Sequence, residues 1–223
     1  MQTFFITGTD TEVGKTYFTV RWLKTLAANG DKVLGYKPVA AGCEMVDTQP
    51  VNEDALAIFE ACNMKVTLRE VNPIALMPPI APHIAACEAG IPISQQQILS
   101  GYKVLEAYQP DVLLMEGAGG WQLPLGNGLW MPQIVQQLGL PVIMVVGMRL
   151  GCLNHALLTA QAISRAGLTL YGWVANQLTS APMPYYRENL RTLCDALEAP
   201  LLAELPYATA PSPTDGLLAN ILR

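Results

Sequence analysis

Between an apolar run, Phe4-Phe5-Ile6, and a stretch of helical periodicity lies Gly8-Thr9-Asp10-Thr11-Glu12-Val13-Gly14-Lys15-Thr16. Strand, glycine-containing loop, Lys-Thr and helix, in that order, is the arrangement that wraps a phosphate group. Gly14 has no side chain to stop backbone N–H groups turning towards phosphate oxygens. The helix that starts near Lys15 adds the positive end of its dipole. Lys15 then reaches the outer phosphates, and the Thr16 hydroxyl is placed to hold Mg²⁺. The spacing departs from the usual G-x-x-x-x-G-K-[ST] at one point: Thr9 stands where the first glycine would be, with Gly8 one residue earlier. An ordinary strand-to-helix turn has no need of Gly-Lys-Thr here, so the stretch reads as a nucleotide site.

The remaining sequence alternates between two periods. Thr16–Asn29 places Phe18, Trp22, Leu23, Leu26 and Ala27 at helical spacing, with Gly30 as the stop. Lys32–Tyr36 reads as a strand broken by Lys37-Pro38. Asn52–Ala61 reads as a short helix, proline-rich Asn72–Pro92 as an irregular excursion, and Ile93–Tyr108 as a helix with Ser94 at its N-cap. The apolar run Val112–Met115 predicts a central strand feeding Glu116-Gly117-Ala118-Gly119-Gly120. Leu129–Leu138, Cys152–Ala166 and Tyr185–Leu197 read as helices, as does the tail after Pro213. Pro141–Val146, Leu170–Ala175 and Leu201–Leu205 read as strands. Strands that are apolar throughout, alternating with helices, predict an α/β fold: a mostly parallel sheet with helices on both faces. With no repeat and no linker, residues 1–223 are expected to form a single P-loop domain.

Composition narrows the function classes. A net charge of −5 leaves no electrostatic footprint for nucleic acid or an anionic membrane. The longest apolar run, near Leu140–Met148, is too short to span a bilayer, and no basic-then-apolar leader opens the sequence. The expectation is a cytoplasmic protein with small-molecule partners. Five cysteines without a C-x-x-C pair read as reduced thiols, and two histidines give a zinc cluster little to build on.

In such sheets ligands gather beyond the carboxyl ends of the strands. That rule brings the phosphate loop, Lys37, Glu116, Asn176 and the turn Gly147–Asn154 to one edge. Lys37 reads equally as a solvated strand-end lysine or as a second cation beside a γ-phosphate. Glu116 ends a buried strand, where a carboxylate costs free energy unless coordinated or paired. Asp54 is either a metal ligand or an acid complementing a helix dipole. Asn176 reads the edge of a base or caps a turn. Leu150-Gly151-Cys152-Leu153-Asn154-His155 opens a helix whose free N–H groups would hold a carboxylate, although alone the stretch reads more simply as a cap. His83, His155 and Cys43 read as structural.

With these segments in hand the chain resembles the dethiobiotin synthetase family nearly end to end. The segments that carry the resemblance are Gly8–Thr16, Gly35-Tyr36-Lys37-Pro38-Val39-Ala40, Asp54-Ala55-Leu56, Val71-Asn72-Pro73, Pro82-His83, Glu116–Trp121, Gly151–His155 and Gly172-Trp173-Val174-Ala175-Asn176. The resemblance implies an ATP-dependent cyclo-ligase. 7,8-Diaminopelargonic acid traps CO₂ as a carbamate, the carbamate attacks the γ-phosphate of ATP, and the second amine displaces phosphate from the mixed anhydride to close a cyclic urea. It further implies that Glu12, Val13, Gly14, Lys15 and Thr16 cradle the phosphates and that Thr16, Asp54 and Glu116 hold Mg²⁺. Gly117, Ala118 and Gly119 would border the nucleotide, and Asn176, Gln177, Pro206, Tyr207 and Ala208 would line the adenine. Lys37, Lys15 and Thr11 would serve catalysis. Lys37, Ala41 and the helix start Gly151, Cys152, Leu153 and Asn154 would bind substrate, the last group across a homodimer interface.

Two departures stand out. Ala41 occupies a position where the family usually has Ser or Thr, and losing one hydrogen bond costs about 0.5–1.5 kcal/mol, a several-fold effect. Ala210-Pro211-Ser212-Pro213 lies where the family often has a Glu near the nucleotide. Two further readings remain: a nucleotide-binding paralogue without the activity, and an ATPase switch of the deviant phosphate-loop class. The second is disfavoured because its loop carries an additional early lysine and this one has none before Lys15.

Overall fold

The computed structural model describes residues 1–207, 218, 221 and 222. Ala208 falls outside this set, and so does the helix expected after Pro213 but for isolated positions. Strand β1 (Gln2–Gly8) runs through the phosphate loop into α1 (Lys15–Ala28), and β2 (Val33–Tyr36) ends at Lys37. Short elements follow: β3 (Val39–Ala41), β4 (Glu44–Val46), β5 (Gln49–Val51), α2 (Glu53–Ala61), α3 (Leu68–Val71), β6 (Ile74–Leu76), α4 (Pro82–Glu88) and α5 (Gln95–Glu106). The second half comprises β7 (Val112–Gly120), β8 (Pro124–Gly126), β9 (Leu129–Trp130), α6 (Met131–Leu138) and β10 (Val142–Met148). It closes with α7 (Cys152–Arg165), β11 (Leu170–Gln177), α8 (Tyr186–Ala196) and β12 (Leu201–Leu205).

Six strands form one sheet in the order β12-β11-β10-β1-β7-β2, and every pairing is parallel. Successive side chains of a strand point to opposite faces, and the core divides accordingly. Phe4, Ile6, Val112, Leu114, Val145 and Val174 pack on one face with Phe18, Trp22 and Leu26 of α1. Phe5, Leu34, Tyr36, Leu113, Met115 and Val142 pack on the other with residues of α5 and α6. The same alternation assigns Lys37, Glu116 and Asn176 to the α1 face. Because Tyr36 is in register with Met115, Lys37, one residue past the end of β2, comes level with Glu116 on β7. Sheet parity thus sets the polar residues beside the phosphate loop.

Local chemistry explains the helix starts. Ser94 caps α5 by accepting from Gln97 N–H, as expected, and Asn52 caps α2 by accepting from Ala55 N–H. The stretch 72–92 is more regular than its prolines suggest: β6 pairs in parallel with β3, and α4 carries Pro82 in its first turn, where a missing N–H is tolerated. Strands β7 and β11 run on through Glu116 and Asn176, so both residues lie within strands and not just after them. Leu129 and Trp130 form a short strand ahead of α6.

Candidate active site

The phosphate loop is built around Gly14, which sits at φ 91°, in the left-handed region, as the N-cap of α1; no side chain caps the helix. Its first N–H groups are therefore open to a ligand. A Cβ at Gly14 would lie 2.1 Å from Nδ2 of Asn176. That amide donates to the Val13 carbonyl at 2.9 Å, so β11 braces the loop from behind. Lys15 is buried, and its ammonium donates to the Asp10 carbonyl at 3.2 Å. Burial pulls its pKa down to about 8, with Glu116 acting upwards and Lys37 downwards.

Behind the loop stands a buried charge cluster. Glu116 is fully buried; Oε1 accepts from Lys37 Nζ at 2.6 Å and from Thr16 Oγ1 at 2.7 Å, and Oε2 from Thr19 Oγ1 at 2.6 Å. Lys37 Nζ also lies 3.5 Å from Asp54 Oδ2, whose side chain is half exposed. Burial disfavours the Lys37 ammonium, but the charges of Glu116 and Asp54 outweigh it and raise its pKa. The lysine's backbone is fixed too: its N–H donates to Val71 O at 2.9 Å, and Asn72 Nδ2 donates to its carbonyl at 2.6 Å.

These residues fit the groups that the sequence implies. An uncapped helix, a glycine that a Cβ could not replace and a buried ammonium of depressed pKa together favour a phosphate anion. Among the described residues no group of three or more His, Cys, Asp or Glu side chains could hold a metal ion. Mg²⁺ does not need one, since it takes one or two carboxylates together with substrate phosphates and water. Thr16, Asp54 and Glu116 offer that donor set.

The other sequence-predicted residues surround this centre. Gly119, at φ 64°, runs beneath Thr11, and a Cβ there would lie 3.5 Å from the threonine hydroxyl. Gly117 lies against Phe5, Ala118 is half-buried, and Glu12 is exposed. Gly151, at φ 95°, starts α7 without a side-chain cap, repeating the device at Gly14. Arg149, just ahead of it, pairs with Asp10 of the phosphate loop. Cys152 is buried, Leu153 half-buried and Asn154 exposed. Asn176 is in register with Leu205, which brings Pro206 and Tyr207 alongside it; both are exposed. The Gln177 amide turns onto its own loop, donating to Thr179 O at 2.8 Å. Ala41 is half-buried at the end of β3, with its carbonyl held by Asn52 Nδ2 at 3.1 Å. Sequence reasoning missed Thr19, Asn72 and Asn52. For Thr19 the available signal was its place three residues after Thr16, on the same helix face.

Parallel sheet, open helix start and buried Lys-Glu cluster define a phosphate-loop nucleotide-binding protein. A family model described as an AAA domain matches residues 2–214. The ATP-dependent dethiobiotin synthetase of Alteromonas mediterranea is 53% identical, with 94% of each chain covered. That of Pseudoalteromonas translucida is 47% identical over 93% of this chain and 91% of its own. The chain belongs to the dethiobiotin synthetase family. Among solved structures, the MinD cell division protein of Aquifex aeolicus is similar at a TM-score of 0.58 and 14% identity, covering 99% of this chain and 87% of that one. A ParA family ATPase from Chlorobium tepidum is similar at 0.57 and 12%, covering 99% and 89%. At such identities the likeness shows the fold alone.

Proposed function

We propose that this chain is an ATP-dependent dethiobiotin synthetase, converting 7,8-diaminopelargonic acid, CO₂ and ATP into dethiobiotin, ADP and phosphate. The observation that carries the reading is the cluster of Lys37, Glu116 and Thr16 beside the open N-terminus of α1, in a chain 53% identical to a protein of that name.

The open N–H groups at Gly14–Thr16 and the Lys15 ammonium hold the triphosphate. Thr16, Asp54 and Glu116 hold Mg²⁺, which when bound neutralises charge on the outer phosphates. Lys37 lies where it can face both the γ-phosphate and a carbamate, two anions that would otherwise repel one another. With that repulsion offset, a carbamate oxygen forms a bond to the γ-phosphorus as the bond to ADP breaks. The second amine then attacks the carbamate carbon, and phosphate leaves with the oxygen that attacked it. Within the loop, Glu12 and Val13 complete the phosphate cradle and Thr11 serves catalysis, and Gly117–Gly119 let the backbone of β7 pass close to the nucleotide. Asn176, Gln177, Pro206 and Tyr207 border the base, a role the family resemblance extends to Ala208, which lies outside the described residues. Asn176 would thereby link base and phosphate loop through its bond to Val13. Ala41 lies by the substrate and supplies no hydroxyl.

The start of α7, at Gly151–Asn154, receives a substrate carboxylate on its uncapped N–H groups. We place that substrate on a second copy of the chain, in a homodimer; Leu150 beside it is 94% exposed, which suits an apolar contact. Among the described residues no helix is long and apolar enough to cross a membrane. The reading is of a single domain, 1–223, working in the cytoplasm.

The oxygen accounting gives the test. With C¹⁸O₂ supplied, one ¹⁸O should appear in the phosphate released with each dethiobiotin. Phosphate free of ¹⁸O, formed alongside dethiobiotin that carries ¹⁸O in its urea carbonyl, would exclude attack by a carbamate oxygen.

A further inference from the structure

Thr19 sits one turn into α1, fully buried. Its hydroxyl lies 2.6 Å from Oε2 of Glu116 and 2.9 Å from the carbonyl of Lys15. A hydroxyl has one hydrogen to give. Inside a helix a threonine usually gives it to the carbonyl four residues back. Here the carboxylate is both nearer and charged, and charge-assisted hydrogen bonds are the stronger kind. The hydrogen therefore goes to Glu116.

The consequence is a division of labour between the two carboxylate oxygens. Oε2 is held from the helix by a neutral donor on rigid backbone. Oε1 faces Lys37 Nζ and Thr16 Oγ1. The last torsion of a glutamate is broad and roughly two-fold, so the carboxylate plane needs a fixed donor on its far oxygen to stay in one orientation.

We propose that Thr19 is a positioning residue for the metal-nucleotide complex. By holding Oε2 it keeps Oε1 of Glu116 beside the Thr16 hydroxyl, the edge at which Mg²⁺ is to be bound. The proposal rests on the placement of the metal at Glu116 given above. A residue that merely satisfied a buried carboxylate would affect stability and leave metal affinity alone.

Mn²⁺, an oxygen-liganded cation visible by electron paramagnetic resonance, separates the two roles. Its affinity is measured with saturating ADP, and ADP affinity is measured in EDTA, for wild type, Thr19→Val, Thr19→Ser and Glu116→Gln. Thr19→Val is expected to weaken Mn²⁺ binding about tenfold or more, as loss of a partner that orients a metal ligand usually does. Metal-free ADP affinity should be unchanged, and Thr19→Ser should bind Mn²⁺ as the wild type does. Wild-type Mn²⁺ affinity in Thr19→Val, with Glu116→Gln weakened, overturns the proposal and leaves the metal at Glu116. Wild-type affinity in Glu116→Gln overturns both. Should Thr19→Val fail to fold, Thr19→Cys, a weak donor of similar size, takes its place against Thr19→Ser; equal Mn²⁺ affinity in that pair overturns the proposal.

Discussion

The ammonium of Lys37 lies 2.6 Å from Oε1 of Glu116, and both side chains are buried at the carboxyl edge of the sheet. Removing one partner of such a pair leaves an uncompensated buried charge and typically costs about 3–5 kcal/mol. Lys37→Met and Glu116→Gln should each lower the denaturation midpoint, and the double variant should lose less than the sum of the two. Additive losses in chemical denaturation would mean that the two groups do not stabilise one another.

Lys15 gives a pH signature. Its folded pKa is lowered to about 8 by burial, against an ordinary 10.5. Between these values the unfolded chain binds more protons than the folded one, so the free protein's stability should rise with pH across that window. Phosphate beside the ammonium reverses the shift, so ATP binding at pH 8.5 should take up a proton. Calorimetry in two buffers of different ionisation enthalpy measures this; heats independent of buffer would contradict it.

Gly14 has no room for a side chain. Gly14→Ala would place a Cβ 2.1 Å from Asn176 Nδ2, on a backbone at φ 91°. Strain at such a φ is worth about 1–3 kcal/mol before any clash. A fluorescent ATP analogue should bind at least tenfold more weakly. Unchanged binding would show that the loop does not use this conformation to hold phosphate.

Ala41 lacks the hydroxyl that the family resemblance leads one to expect there, and Cys43 does not replace it: the thiol is buried, with Ala40 O at 3.9 Å as its acceptor. Burial also pushes that thiol's pKa up. Ala41→Ser should raise kcat/KM for the diamine several-fold, in line with one hydrogen bond of about 0.5–1.5 kcal/mol. Cys43→Ala should leave it nearly unchanged. The opposite pattern would assign the hydroxyl's role to the thiol.

What the sequence disclosed follows from how local each feature is. The phosphate loop was legible because its chemistry lies within nine consecutive residues, Gly8–Thr16. The central strand before Glu116 was legible from its unbroken apolar run, and the α/β alternation followed. The bond between Lys37 and Glu116 was not, because it joins residues 79 apart through the register of β2 on β7. Asp54 keeps both readings in the fold, since it lies in the first turn of α2 and also 3.5 Å from the Lys37 ammonium. Thr19 gave little sign, since a threonine inside an amphipathic helix looks ordinary until a strand brings a carboxylate to it. The prolines of 72–92 suggested irregular chain, yet Pro82 occupies the helix turn that tolerates it. The exposed hairpin β4–β5, with three residues to a strand, is too short to show a period.

The most direct test of the central claim follows dethiobiotin and phosphate together, from 7,8-diaminopelargonic acid, bicarbonate and Mg-ATP. Wild type and Lys37→Met are compared at a temperature where circular dichroism shows both folded. The account predicts dethiobiotin and phosphate in equal amounts from the wild type, and no dethiobiotin from the variant. Phosphate released by the wild type without dethiobiotin would contradict it and point to an ATPase switch or a paralogue acting on another substrate.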